Sequence, residues 1–163
     1  MIDSTPAAVL VTPKMFESLL SADKNLIVLS TPEPLVALAQ LRQLAMRGGQ
    51  AVYVWEPELG IAPMRDASAR VASTERLGDA LRHIQRSRHF GIYVLVGAER
   101  ELRAEHTGLL QAISESDNPA ARKLAFLGSS FNMPADLVES VEYIRCNGAT
   151  TARLRLRDGK WLR

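Results

Sequence analysis

One cysteine, Cys146, stands in a chain of 163 residues. That excludes an internal disulfide and fits a reducing compartment. No apolar run approaches the ~18 residues a membrane-spanning helix needs, so an integral membrane protein is not expected. The first residues, Met1-Ile2-Asp3-Ser4, lack the basic and apolar regions of a secretory signal. A large excess of charge of one sign is missing too: 20 basic and 18 acidic residues leave a formal net charge of +2. A dedicated nucleic-acid binder would carry a basic stripe, and this balance argues against one. Together these absences predict a cytoplasmic protein. The three histidines, His83, His89 and His106, show no ligand spacing and read as surface residues. Cys146 has no local base to activate it. No metal, cofactor or catalytic residue is expected.

What is present is ordinary for a globular chain. Hydrophobic residues make up 47% and charged residues 23%. The length suits one domain with its own core, and no linker or repeat divides residues 1–163. Val9 to Val11 could form a short edge strand. Thr12 and Pro13 fit the N-cap and first position of a helix to about Ala22, burying Phe16, Leu19 and Leu20. Leu26 to Leu29 is an apolar run suited to a strand covered on both faces. Pro34 opens a helix to about Arg47, with Leu35, Leu38, Leu41 and Ala45 on one face. Gly48-Gly49 ends it.

Ala51 to Trp55 is the next strand, with Tyr53 and Trp55 as its less buried positions. Glu56 to Ala72 has no clear period and reads as a long loop. Ser73-Thr74-Glu75 would cap a helix whose Leu77, Ala80, Leu81 and Ile84 face inward. Its other side carries Arg76, Asp79, Arg82, His83 and Arg86. Ile92 to Val96 is a third buried strand. A helix over about 101–114 follows, with Leu102, Leu109, Leu110 and Ile113 inward. Residues 116–119 make a turn, and Pro119 can start one helical turn through Arg122. Leu124 to Leu127 is a fourth strand, Met133-Pro134 opens a short helical turn, and Val141 to Arg145 is a fifth strand. Strands alternating with helices predict a three-layer α/β sandwich with a mainly parallel five-stranded sheet, Rossmann-like or P-loop-like in plan. The alternation of Arg153, Arg155 and Arg157 with Leu154 and Leu156, then Asp158-Gly159, predicts a C-terminal β-hairpin over 151–163.

The first strand leads into Thr31-Pro32-Glu33-Pro34. A phosphate-binding loop would place glycines here and end in Lys-Ser or Lys-Thr. Two prolines remove amide donors, and a carboxylate stands where a phosphate would bind. The scaffold resembles a nucleotide-binding one without its phosphate loop.

The order of pieces resembles the N-terminal lobe of cyanobacterial and plastid-type AAA ATPases. The residues that carry the resemblance are Thr31-Pro32-Glu33, the Leu38 to Ala45 helix, Val52-Tyr53-Val54-Trp55, Gly60-Ile61, and Ala80-Leu81-Arg82-His83-Ile84. Gly91 to Leu95, Leu109-Leu110 and Asn132-Met133-Pro134-Ala135-Asp136-Leu137 continue it. It covers about 25–145, and order and spacing carry it more than any single motif. In that family the lobe is a degenerate P-loop-type domain, and ATP binding resides in a following AAA module. The family lobe often keeps an acid just after the third strand. Here Gly97-Ala98 follows Val96 and the nearest acid is Glu99. The resemblance implies a free-standing, catalytically empty lobe without Walker A or Walker B chemistry.

Open α/β sheets bind ligands at the carboxyl ends of their strands. The residues expected there are Thr31, Glu33, Trp55, Glu56, Glu99 and Ser129, with Ser30, Glu58 and Ser130 beside them. This acidic, hydroxyl-bearing rim could hold a small ligand or nucleotide; equally, these are wet loop residues that cap helices. The C-terminal Arg153, Arg155 and Arg157 with Trp161 suit a contact with an acidic partner, phosphates or a second copy. The competing reading is protection of a strand edge. The leading expectation is a non-enzymatic interaction or regulatory protein. Its partner would be another protein, such as an ATPase or a membrane-associated assembly, or a second copy paired through the C-terminal edge. A small-ligand module at the rim and a nucleic-acid contact through the arginines are the alternatives.

Overall fold

The computed structural model describes residues 9–116, 122–129 and 131–146. The expected C-terminal hairpin lies outside the described residues. The expected helical turn from Pro119 also lies outside them, except that Arg122 already belongs to a strand.

The first helix, α1 (Pro13–Leu20), starts where the sequence places it. The Thr12 hydroxyl oxygen accepts the Met15 N–H at 3.1 Å, and Pro13 has no N–H to leave unpaired. Ahead of it, Leu10 and Val11 form no strand. Their N–H groups both donate to Gln40 Oε1, at 2.8 and 2.9 Å. β1 (Leu26–Ser30) is buried on both faces. α2 (Pro34–Gly48) ends at Gly49, whose φ of 74° is the left-handed conformation that glycine takes without strain. Its buried stripe is Ala37, Leu38, Leu41 and Ala45, whereas Leu35 is 72% exposed. A rotation of about 100° per residue carries Leu35 roughly 60° past Leu38, off the stripe.

β2 (Val52–Glu56) turns directly into β3 (Gly60–Pro63), an antiparallel partner inside the stretch expected to be a loop. β3 has only four residues, bounded by Gly60 and Pro63, too few to show alternation. Its outer edge is covered locally, because the Val71 N–H donates to the Ile61 carbonyl at 2.8 Å. α3 (Leu77–Arg86) buries Leu77, Ala80, Leu81 and Ile84 as expected. It begins later than Ser73-Thr74-Glu75 suggests, because Thr74 is diverted inward. The Thr74 hydroxyl accepts the Ile61 N–H at 2.9 Å and donates to the Val71 carbonyl at 2.8 Å.

β4 (Gly91–Val96) is followed by two 3₁₀ turns, Ala98–Arg100 and Ala104–His106, and then α4 (Thr107–Ser114). The helix expected from about residue 101 is therefore shorter. β5 (Arg122–Gly128), a 3₁₀ turn (Ala135–Ser140) and β6 (Val141–Arg145) complete the described chain.

The strand order is β3-β2-β4-β5-β1-β6, and every pair is parallel except β2 with β3. Among the described residues the antiparallel edge comes from β3. Side chains along β1 alternate between two cores. Ile27 and Leu29 pack with α1 and α2, while Leu26 and Val28 pack with α3 and α4. The result is a three-layer α/β sandwich. From β1 the chain crosses through α2 to β2 on one side; from β5 it crosses to β6 on the other. The connections diverge between β1 and β5, so the crevice lies at the carboxyl ends of those two strands.

Candidate functional site: the crevice at the ends of β1 and β5

The crevice is walled by the loop that leaves β1, and every backbone N–H of that loop can be accounted for. The Thr31 N–H donates to the Gly128 carbonyl at the end of β5, at 3.0 Å. Pro32 has no N–H. The Glu33 N–H donates to the Thr31 hydroxyl oxygen at 3.2 Å, and Pro34 again has none. Thr31 is buried and its side chain is turned back onto its own loop. Among these four residues no amide remains for an anion. The Glu33 carboxyl is exposed, and its carbonyl accepts the Ala37 N–H at 3.0 Å, the first turn of α2.

Glu99 sits on the 3₁₀ turn after β4 and comes to the same place. Its carboxylate lies 3.5 Å from where a side chain on Gly128 would begin. Ser129 follows Gly128 and is exposed, while Ser130 lies outside the described residues. Thr31, Glu33, Glu99 and Ser129 thus gather at the ends of β1, β4 and β5. Beside them an open groove of about 570 Å³ runs from Glu99 and Leu102 past Thr107 to Asn132, Met133 and Asp136.

Trp55 does not join them. Its side chain is completely buried, and its indole N–H donates to the Thr74 carbonyl at 2.8 Å. It offers the rim no surface. Glu56 pairs in the ladder with Gly60 and faces Arg70 at 3.7 Å. Arg70 also donates to the Gly60 carbonyl at 3.1 Å, so both residues serve the β2–β3 turn. Among the described residues the rim has no exposed tryptophan and is acidic. Arg153, Arg155, Arg157 and Trp161 lie outside the described residues.

Other groups of chemical interest are held structurally. The Cys146 N–H donates to the Ser30 carbonyl at 2.6 Å, and burial pushes its thiol up to about 11. A thiol so held stays protonated at neutral pH and is a poor nucleophile. His83 and His89 are exposed, as expected; His106 is not. It is buried, and its Nδ1 accepts the Arg103 N–H at 3.0 Å, which caps the start of the second 3₁₀ turn. Lys123, missed in the sequence, is also buried. Its ammonium donates to the Ala22 carbonyl, and burial lowers its pKa. The sequence pattern starts this strand at Leu124, and a charged residue just before it gives no sign of burial.

Residues 12–146 match the profile of the SpoVK-like AAA ATPase, N-terminal domain. The chain belongs to this family. The match covers most of its length, from the Thr12 cap to Cys146. No curated protein matches the chain. The family assignment places the crevice in an AAA ATPase N-terminal lobe, and the described strands and helices all lie within the matched residues.

Proposed function

We propose that this lobe is a non-enzymatic interaction or regulatory module, built on an ATPase-like scaffold whose phosphate site is closed. One observation carries the reading: the Thr31-Pro32-Glu33-Pro34 loop has no amide left to receive a phosphate. Phosphoryl transfer depends on such amides, a lysine and a metal-binding acid at this crevice. The crevice presents Glu33 and Glu99 in their stead, which repel a polyphosphate. With the loop closed, the lobe acts through its surface and its partner is another protein, such as an ATPase or a membrane-associated assembly.

The test has two arms. Purified protein is assayed for magnesium-dependent release of phosphate from ATP and GTP, and none is expected. Turnover that co-elutes with the protein and survives repeated purification would sink the reading. In the second arm, residues 151–163 are removed. Arginine and tryptophan dominate interface hot spots, so Arg153, Arg155, Arg157 and Trp161 are the proposed contacts. Loss of the partner or dimer with an unchanged melting temperature supports this. A lower melting temperature with unchanged elution assigns the segment to the core instead.

A further inference from the structure

A second groove opens at the opposite end of the sheet, where β2 and β4 begin. It encloses about 480 Å³ beside the last turn of α3, within the range of small-ligand sites. Half-buried Tyr53 and buried Tyr93 line it, their rings stacked with centroids 4.8 Å and planes 15° apart. They meet because β2 and β4 pair in parallel with Tyr53 opposite Tyr93. Both rings lean over Gly91, where a Cβ would stand 3.1 Å from the Tyr53 ring. A side chain at this position would press on both rings.

The rim carries His83, Arg86, Arg88 and His89, all exposed, and no Asp or Glu among the described residues lines the groove. None of the four enters an ion pair among the described residues. In a chain with a net charge of only +2 this is a marked local concentration. Complementing the negative end of α3 would be a simpler role for such residues. That end is already satisfied. The Arg122 guanidinium donates to the Gln85 carbonyl at 2.8 Å and to the Ser87 carbonyl at 3.0 Å. Arg88 and His89 lie beyond the helix altogether.

We propose that this groove binds a nucleotide, with the base against the Tyr53 ring, which Tyr93 backs from the core, and the phosphate held by Arg86 and Arg88. A guanidinium fork matches the oxygens of a phosphate, and an aromatic wall accepts any base through its π-face. A free mononucleotide and a single-stranded nucleic acid share this chemistry. The proposal is independent of the closed crevice at the other end of the sheet.

The purified protein is titrated with AMP, adenosine, ribose 5-phosphate, a short oligoadenylate and a short acidic peptide, with backbone amide resonances as the readout. AMP should shift residues near 53 and 86–93 saturably, with a Kd of about 1 mM or tighter. Adenosine and ribose 5-phosphate should each bind about tenfold more weakly or worse, since each lacks one half of the contact. The double variant Arg86→Ala/Arg88→Ala should lose about tenfold or more in AMP affinity with an unchanged melting temperature. Tyr53→Leu, checked by the same melt, should weaken AMP while leaving ribose 5-phosphate unaffected. An oligoadenylate that binds more tightly than AMP, and is lost in the arginine variant, identifies a single strand as the source; equal or weaker binding identifies the free nucleotide. The proposal is overturned if neither AMP nor the oligoadenylate gives saturable shifts, or if the arginine variant binds undiminished. It also fails if ribose 5-phosphate or an acidic peptide binds as well as AMP.

Discussion

The indole N–H of Trp55 donates to the backbone carbonyl of Thr74 at 2.8 Å, and both residues are buried. This bond links the end of β2 to the chain 19 residues later. With the Thr74 hydroxyl on Ile61 and Val71, it turns the stretch after β2 into an ordered edge of the sheet. Replacing Trp55 with Phe keeps most of the ring and leaves the Thr74 carbonyl buried without its donor. We expect a loss of about 1–3 kcal/mol in urea unfolding. In the native protein Trp55 emission should be shielded from acrylamide, and a Trp161→Phe background isolates that signal.

The apolar stripe of α3 makes a sharper contrast. Leu81 is completely buried, while His83, two residues on, is exposed. Leu81→Ala should destabilise by about 2–4 kcal/mol through the cavity it leaves. His83→Ala should change stability by less than about 0.5 kcal/mol. Equal melting temperatures for the two variants would contradict the packing.

The start of α3 is capped from a distance. Glu101 Oε1 accepts the Leu77 N–H at 3.0 Å, 24 residues away. A carboxylate there satisfies an amide and meets the positive end of the helix dipole. Glu101→Ala should cost about 1 kcal/mol, and Glu101→Gln less, since it keeps an acceptor. Hydrogen exchange of the first-turn amides of α3 should quicken in the alanine variant. A change spread evenly over the whole molecule would argue against a local cap.

Cys146 makes stability depend on pH in an alkaline window. Its pKa rises from 9.0 in an exposed state to about 11 in the fold, because burial disfavours the thiolate. Between those values the unfolded chain binds fewer protons than the native one, so stability falls as pH rises. Lys123, whose pKa burial lowers, contributes the opposite slope. It is common to both proteins compared here and cancels. The urea midpoint should therefore fall more steeply from pH 9.0 to about 11 in the natural protein than in Cys146→Ala. Parallel slopes would place the thiol in contact with water.

Much of the fold follows from local pattern. Thr12-Pro13, Gly48-Gly49 and the spacing of Leu77, Ala80, Leu81 and Ile84 fix helix ends and faces through backbone geometry and helical period alone. The apolar runs at 26–29, 92–96 and 124–127 mark doubly covered strands for the same reason. The chemistry of the β1 loop was also legible, since proline lacks an N–H in any structure. Three things depended on contacts between residues far apart in the chain. β3 exists because Tyr53, Val54 and Trp55 supply a partner strand to a segment with no pattern of its own. Thr74 caps no helix because Ile61 and Trp55 claim its oxygens, and the cap comes from Glu101 instead. The groove of Tyr53, Tyr93, Arg86 and Arg88 forms only when β2 pairs with β4 and α3 ends above them. Local sequence determines which backbone conformations and which buried faces each segment prefers. Only the paired sheet decides which of those segments meet, because hydrogen-bond partners and charged neighbours are set by distance in space.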